Sequence, residues 1–192
     1  MFNYYLNLLN KIIINIKIVM KTKNLFKTIA IIFSLLIGGN AFAQDKNIVE
    51  TAIASKDHTT LVAAVKAADL VGVLSGEGPF TVFAPTNAAF AKLPKGTVDS
   101  LLKKENLATL QGVLTYHVVT GKFNAKDVIG LIKKGNGKAV IPTVQGGKLT
   151  AMIKDGSVYI ADENGNKAKV TTADLDQTNG VIHVIDSVVL PK

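Results

Sequence analysis

The sequence contains no cysteine, no tryptophan and no arginine. Without cysteine there is no thiolate nucleophile, no disulfide framework, no Cys-ligated zinc or iron–sulfur site and no thioether-linked lipid anchor. Without arginine the planar fork that grips phosphates and base edges in pairs is missing, so nucleic acid is not expected as a partner. Acidic residues are in the minority: 22 lysines face 14 Asp plus Glu, a formal charge of +8. Long apolar runs are also absent, since Ile29–Ile37 falls well short of the roughly 20 residues that a spanning helix needs.

That short run sits in a recognisable order. Lys21, Lys23 and Lys27 precede it, and Gly38-Gly39-Asn40 and Ala41-Phe42-Ala43 follow, the charged, apolar and small-residue sequence of a secretory signal. Residues 1–43 are therefore read as a signal peptide cleaved after Ala43, with a secreted or periplasmic product and no stable membrane insertion afterwards. The prefix before Met20 is almost entirely Phe, Tyr, Asn, Leu, Ile and Lys, and translation from Met20 is the expectation for it. Lys11, Lys17, Lys21, Lys23 and Lys27 go with this segment and no acid does, leaving 17 lysines against 14 acids, or +3. That balance is too mild to imply a polyanionic partner.

Residues 44–192 read as a single domain, helical first and extended later. Apolar stripes at Ile48, Ala52 and Ile53 and at Leu61–Ala68 predict two helices, the second behind Thr59 or Thr60 as cap. Short helices are expected from Thr86 or Asn87, from Thr97 and from Asn106, with Phe80–Phe83 as a strand among them. Beyond Tyr116 the period falls towards two. Val118-Val119 and Ala139–Ile141 read as strands, and Lys126–Ile132 as a helical turn between them. Leu149–Ile153 and Val158–Ile160 form a hairpin about Lys154-Asp155-Gly156, and a second turn falls near Asn164-Gly165. Val181–Leu190 carries apolar residues on both alternating sets and belongs in the interior. About 150 residues suffice for one core, and the fold class is α+β, with N-terminal helices packed on a small mixed β-sandwich.

Three segments in this order resemble the fasciclin-like domain family: Gly78–Phe90 (GPFTVFAPTNAAF), Tyr116-His117-Val118-Val119, and Thr178–Pro191 (TNGVIHVIDSVVLP). The resemblance implies an extracellular module of adhesion and matrix proteins, without catalysis or cofactor. In animal relatives the Tyr-His region, and an Asp followed by an apolar residue before the closing signature, are associated with integrin binding. The matching positions are Tyr116, His117, Asp174 and Leu175, taken as the candidate binding residues. An exported protein that also resembles bacterial members would meet no integrin, so the expected partner is another extracellular or cell-surface protein or a polysaccharide. The alternative is a carrier holding a small hydrophobic ligand in a helix–sheet pocket.

Other chemistries find little footing. No serine lies in a Gly-x-Ser-x-Gly elbow and no phosphate-cradling glycine loop is present. His117 and His183, with Asp174, Asp176 or Asp186, lack the close spacing of metal ligands, so no metal is expected and both read as hydrogen-bonded structural histidines. His58 reads as a solvated loop residue. Asp162–Asn166 reads as a turn, since the alternating acidic ligands of a calcium loop are missing.

Overall fold

The computed structural model describes residues 46–192. The signal peptide and the Met20 start lie outside the described residues. Helix α1 (Ile48–Ala54) opens with a reciprocal cap: the Glu50 N–H donates to Asn47 Oδ1 and the Asn47 N–H to Glu50 Oε2, both at 2.9 Å. Helix α2 (Thr59–Ala67) contains both of its expected caps within its first turn. Its free N–H groups are instead met from another helix, because Asn87 Oδ1 accepts from the Thr60 N–H at 2.9 Å. A five-residue helix, α3 (Val71–Ser75), follows that the sequence pattern did not announce.

Strand β1 (Phe80–Pro85) turns into α4 (Asn87–Ala91) at Thr86, whose hydroxyl accepts from the Ala89 N–H at 3.2 Å. Helix α5 (Thr97–Leu101) is preceded by Gly96, so Thr97 is its first residue and not its cap. Asn106 precedes α6 (Leu107–Tyr116), but its side chain turns back to donate to the Ser100 carbonyl at 2.7 Å. Then come β2 (Val118–Thr120), α7 (Ala125–Lys134), β3 (Lys138–Pro142), β4 (Lys148–Lys154), β5 (Ser157–Ala161), β6 (Lys167–Gln177) and β7 (Gly180–Ile185). The β4–β5 hairpin turns through Asp155 and Gly156, both at positive φ (51° and 71°), as a two-residue turn requires.

The strands join in the order β2-β1-β7-β6-β5-β4-β3. The two halves of the expected sandwich are thus continuous through β6, and they curl towards closure: the Val144 N–H, just past β3, donates to the Val118 carbonyl of β2 at 2.8 Å. All neighbours are antiparallel except β1 and β7, which run parallel with Phe80 opposite Gly180 and Pro85 opposite Ile185. The three signature segments therefore supply three adjacent strands, β2, β1 and β7. A Cβ on Gly180 would run into the Phe80 carbonyl, which explains glycine at the start of β7.

β1 and β7 bury both faces. Val82, Ala84 and Ile182 pack into one core beneath α1, α2, α4 and α6, while Phe83 and Ile185 pack into a second inside the curled sheet with Val128 and Ile132 of α7. This accounts for the apolar residues on both alternating sets of the closing segment. β7 itself ends at Ile185, short of the expected Leu190. There the Asp186 carboxylate accepts from the Lys169 N–H at 2.8 Å and from Lys92 Nζ at 3.2 Å, and the chain leaves the sheet. The tail is then held by Asp162, which accepts from the Leu190 N–H (3.1 Å) and from the N–H groups of Asn164 and Asn166 (3.0 and 2.9 Å).

Asn179 ties the start of the domain to its end. Its Oδ1 accepts from the Ile48 N–H at 3.0 Å, its Nδ2 donates to the carbonyls of Leu74 and Gly76 at 2.9 Å each, and its own carbonyl accepts from the Phe80 N–H at 3.0 Å. Asn179→Ala leaves three side-chain partners unmatched near the α1 N-terminus and the α3 C-terminus. It is expected to lower unfolding free energy by about 2 kcal/mol. Urea denaturation measures this directly; a loss below about 0.5 kcal/mol, the level of an ordinary surface change, would contradict the role.

Candidate functional site

The four candidate binding residues fall into two environments. Tyr116 and His117, at the end of α6, are buried, with 0% and 3% of their surfaces exposed. The Tyr116 hydroxyl donates to the Lys148 carbonyl at 2.7 Å and accepts from the Glu163 N–H at 3.2 Å, joining α6 to the start of β4 and the β5–β6 turn. Burial pushes its phenol above the ordinary value, and the Glu163 and Asp162 charges add to this against the opposing Glu163 N–H. His117 Nδ1 donates to the Val113 carbonyl at 2.8 Å, and Nε2 accepts from the Val189 N–H at 3.3 Å. Those partners require the proton on Nδ1. Burial lowers the ring pKa to about 4, although the Val113 carbonyl pulls the other way.

Asp174 and Leu175 lie on the surface. They fall within β6, where two register shifts between Val170 and Leu175 mark bulges, and Asp174 adopts φ 58°. A bulge re-aims the side chains it carries, and here every residue from Thr171 to Asp176 is exposed. The bulge is pinned on two sides. Asp174 Oδ1 accepts from the Ala125 N–H at 2.6 Å, placing a carboxylate at the positive N-terminus of the ten-residue α7. The Asp174 N–H donates to His183 Nδ1 at 3.3 Å, and His183 Nε2 donates onward to the Phe123 carbonyl at 2.8 Å.

His183 therefore fastens the bulge to the Gly121–Asn124 loop. The same loop is held by Thr81, whose hydroxyl donates to the Gly121 carbonyl (2.7 Å) and accepts from the Phe123 N–H (2.9 Å). Lys122 of the loop pairs with Asp176 of β6 at 2.8 Å. Beside these groups stands Leu175, 36% exposed, on a frame with little freedom to move.

No hydrogen bond joins the Tyr116–His117 pair to Asp174–Leu175 among the described residues, but Phe83 lies between them. Its N–H donates to the His117 carbonyl at 2.9 Å, and its ring stacks on His183 with centroids 5.6 Å apart. Both histidines have both ring nitrogens engaged by main-chain groups, so neither offers a free lone pair to a metal. Among the described residues no three His, Asp or Glu are grouped to hold one. His58 departs from its expected solvation: it is buried, its Nδ1 lies 2.8 Å from Ser55 Oγ, and burial lowers its pKa despite the opposing Asp57 charge. The short 3₁₀ turn at Lys56–His58 folds the ring inward, a local geometry that polar neighbours in sequence do not reveal. His183 is the hydrogen-bonded structural histidine expected from the sequence, although its partners, and the role of Thr81, were not legible there. Their one signal was a polar side chain inside an apolar strand.

The described domain is thus a helical cap on a nearly closed mixed sheet, with the ring nitrogens of His117 and His183 on main-chain partners and one braced bulge exposed on β6. The Fasciclin domain family model matches residues 56–191, and the chain belongs to that family. It is 55% identical over 144 residues to Protein sll1483 of Synechocystis sp., covering 75% of this chain and 73% of that protein. Against Immunogenic protein MPT70 of Mycobacterium tuberculosis it is 38% identical over 138 residues, or 69% of this chain and 63% of that one. A FAS1 domain pair from the insect cell adhesion molecule Fasciclin I shares the fold, with a TM-score of 0.68 at 19% identity, over 76% of this chain and 51% of that chain.

Proposed function

We propose that the protein is a non-enzymatic interaction module, exported and associated with a cell surface or matrix, that engages a cell-surface protein through the Asp174–Leu175 bulge. The observation that carries this reading is the bulge itself: six exposed residues in mid-strand, braced by His183, by Lys122 and by the N-terminus of α7. An interface anchor works best when held rigidly, because little conformational freedom is then lost on binding. Tyr116 and His117 act from inside the domain, by fixing α6, β4 and the C-terminal segment. Kinship with proteins named for cell adhesion and the cell surface accords with this role.

The carrier alternative is less favoured. The apolar cavity beneath α1, α2 and α3 measures about 40 Å³, against roughly 300–1,000 Å³ for small-molecule sites.

Leu175→Asn tests the reading, since it alters the exposed anchor and leaves the Asp174 hydrogen bonds in place. Retention of the purified protein on host envelope preparations should weaken at least tenfold, about 1.4 kcal/mol. The melting temperature should move by less than about 2 °C, as expected for a surface change. Unchanged retention would remove Leu175 from the interface.

A further inference from the structure

The outer face of strands β3 to β6 carries a second surface, independent of the bulge. Ala139, Ile141, Leu149, Ala151, Ile160 and Ala168 alternate inward and are buried in the core shared with α7. The intervening residues therefore point away from that core. In register across the four strands, Lys138 lies opposite Met152, Met152 opposite Tyr159 and Tyr159 opposite Lys169. Lys148 and Lys154 project from the same side of β4, and Lys167 from the same side of β6.

Five lysines thus share one face, and the paired positions of β3, β4, β5 and the first half of β6 include no Asp or Glu. None of the five takes part in the ion pairs found among the described residues. Lys138 and Lys169 are separated by three inter-strand steps, about 14 Å, and Lys148 and Lys154 by six residues along one strand, about 20 Å. A net charge of +3 conceals this concentration, because the nearest acids, Asp155, Asp162 and Glu163, lie in the turns at the strand ends and not on the paired positions.

We propose that this face binds a carboxylated polysaccharide laid across the strands. The charge is complementary, and its spread suits a chain that carries many anions along its length. A single small anion could reach few of these lysines at once, whereas a polymer engages several and gains by multivalency. In the middle, the half-buried Tyr159 ring and Met152 form a level apolar floor for the CH face of a sugar ring. An anionic membrane fits less well. Interfacial binding inserts protruding apolar side chains, and Val140 is the one large apolar residue of this face that stands clear, at 64% exposure.

The test compares two charge-matched variants of the full chain binding to polygalacturonate. One carries Lys138→Gln, Lys148→Gln, Lys167→Gln and Lys169→Gln; the other carries Lys103→Gln, Lys104→Gln, Lys133→Gln and Lys134→Gln, away from the face. The first should lose at least tenfold in affinity at low salt and the second less than twofold, with circular dichroism confirming that both are folded. Tyr159→Ala should weaken binding severalfold while leaving its salt dependence unchanged. Neutral dextran should not bind. Equal losses in the two lysine variants, binding of phosphatidylglycerol vesicles in preference to polygalacturonate, or no binding by the unaltered protein would each overturn the proposal. Leu175→Asn should leave polygalacturonate binding intact, so this surface and the bulge stand or fall separately.

Discussion

Tyr116→Ala is expected to lower the free energy of unfolding by about 3–5 kcal/mol, the range for removing a large buried ring. The ring is fully buried in the same core as Phe83, Val119, Leu149 and Val189, so its removal leaves a cavity there. The hydroxyl adds a second loss, because the Lys148 carbonyl and the Glu163 N–H would be left without their partner. Tyr116→Phe isolates that part and should cost about 1–3 kcal/mol. In urea the midpoint should fall with little change of slope. A stable Tyr116→Ala protein that had lost partner binding would reverse the assignment and make Tyr116 a contact residue.

Acid should weaken the fold through His117. Burial holds the ring pKa in the folded protein at about 4, below the ordinary 6.5, so the unfolded chain takes up a proton that the native state refuses. The corresponding stability is present above pH 6.5 and is lost as the pH falls from there towards about 4, by which point the loss amounts to about 3 kcal/mol. Denaturation curves at pH 7 and pH 4.5 measure most of this drop. His117→Gln should show a shallower dependence over the same interval. Should that variant fail to fold, the wild-type ring signals settle the matter: a His117 resonance titrating near pH 6.5 would refute the mechanism.

Asp186 acts in a lower window. Burial opposes its ionisation, but the Lys169 N–H, Lys92 and the Ser187 hydroxyl outweigh burial and hold its carboxyl below 3.8. Its contribution is present above the ordinary carboxylate pKa and disappears only as the pH falls through the depressed value. Loss already complete by pH 4 therefore points to the buried histidines, and His117→Gln separates the share of His117 from that of His58.

Elements set by their own residues were legible in the sequence. Thr86 beside Pro85 marks the corner from β1 into α4, and Asp155-Gly156 dictates a tight hairpin turn. The three family signatures were equally plain. What they do together was not, because the parallel pairing of β1 with β7 depends on residues a hundred positions apart. α3 went unannounced for a local reason, since Val71-Gly72-Val73-Leu74-Ser75 has poor helix propensity and is ordered by packing. Asp174-Leu175 carries no strand pattern of its own and lies in strand β6 because β7 holds it there.

For the site, the residue types were visible while their direction was not. Tyr116 and His117 were legible as a motif, yet nothing in the letters tells a displayed tyrosine from one whose hydroxyl is tied to the main chain on the inner side. The lysine face was hidden in another way. Strand alternation places Lys148 and Lys154 on one side of β4, but only the register brings Lys138 and Lys169 beside them.

The central position of β7 also orders events in time. Of the described strands, the one between β1 and β6 is the last in sequence, so a chain cut before it cannot complete this sheet. Until Gly180–Ile185 is available, β1 has one bare edge and its apolar faces lack a cover, the state in which strands pair with the wrong neighbour. Pairing across so long a separation also delays folding, since the intervening loop must be ordered before the contact repays it. The sheet of this domain is therefore expected to assemble only once β7 has been made, and a chain cut before Gly180 to be the form most prone to aggregate.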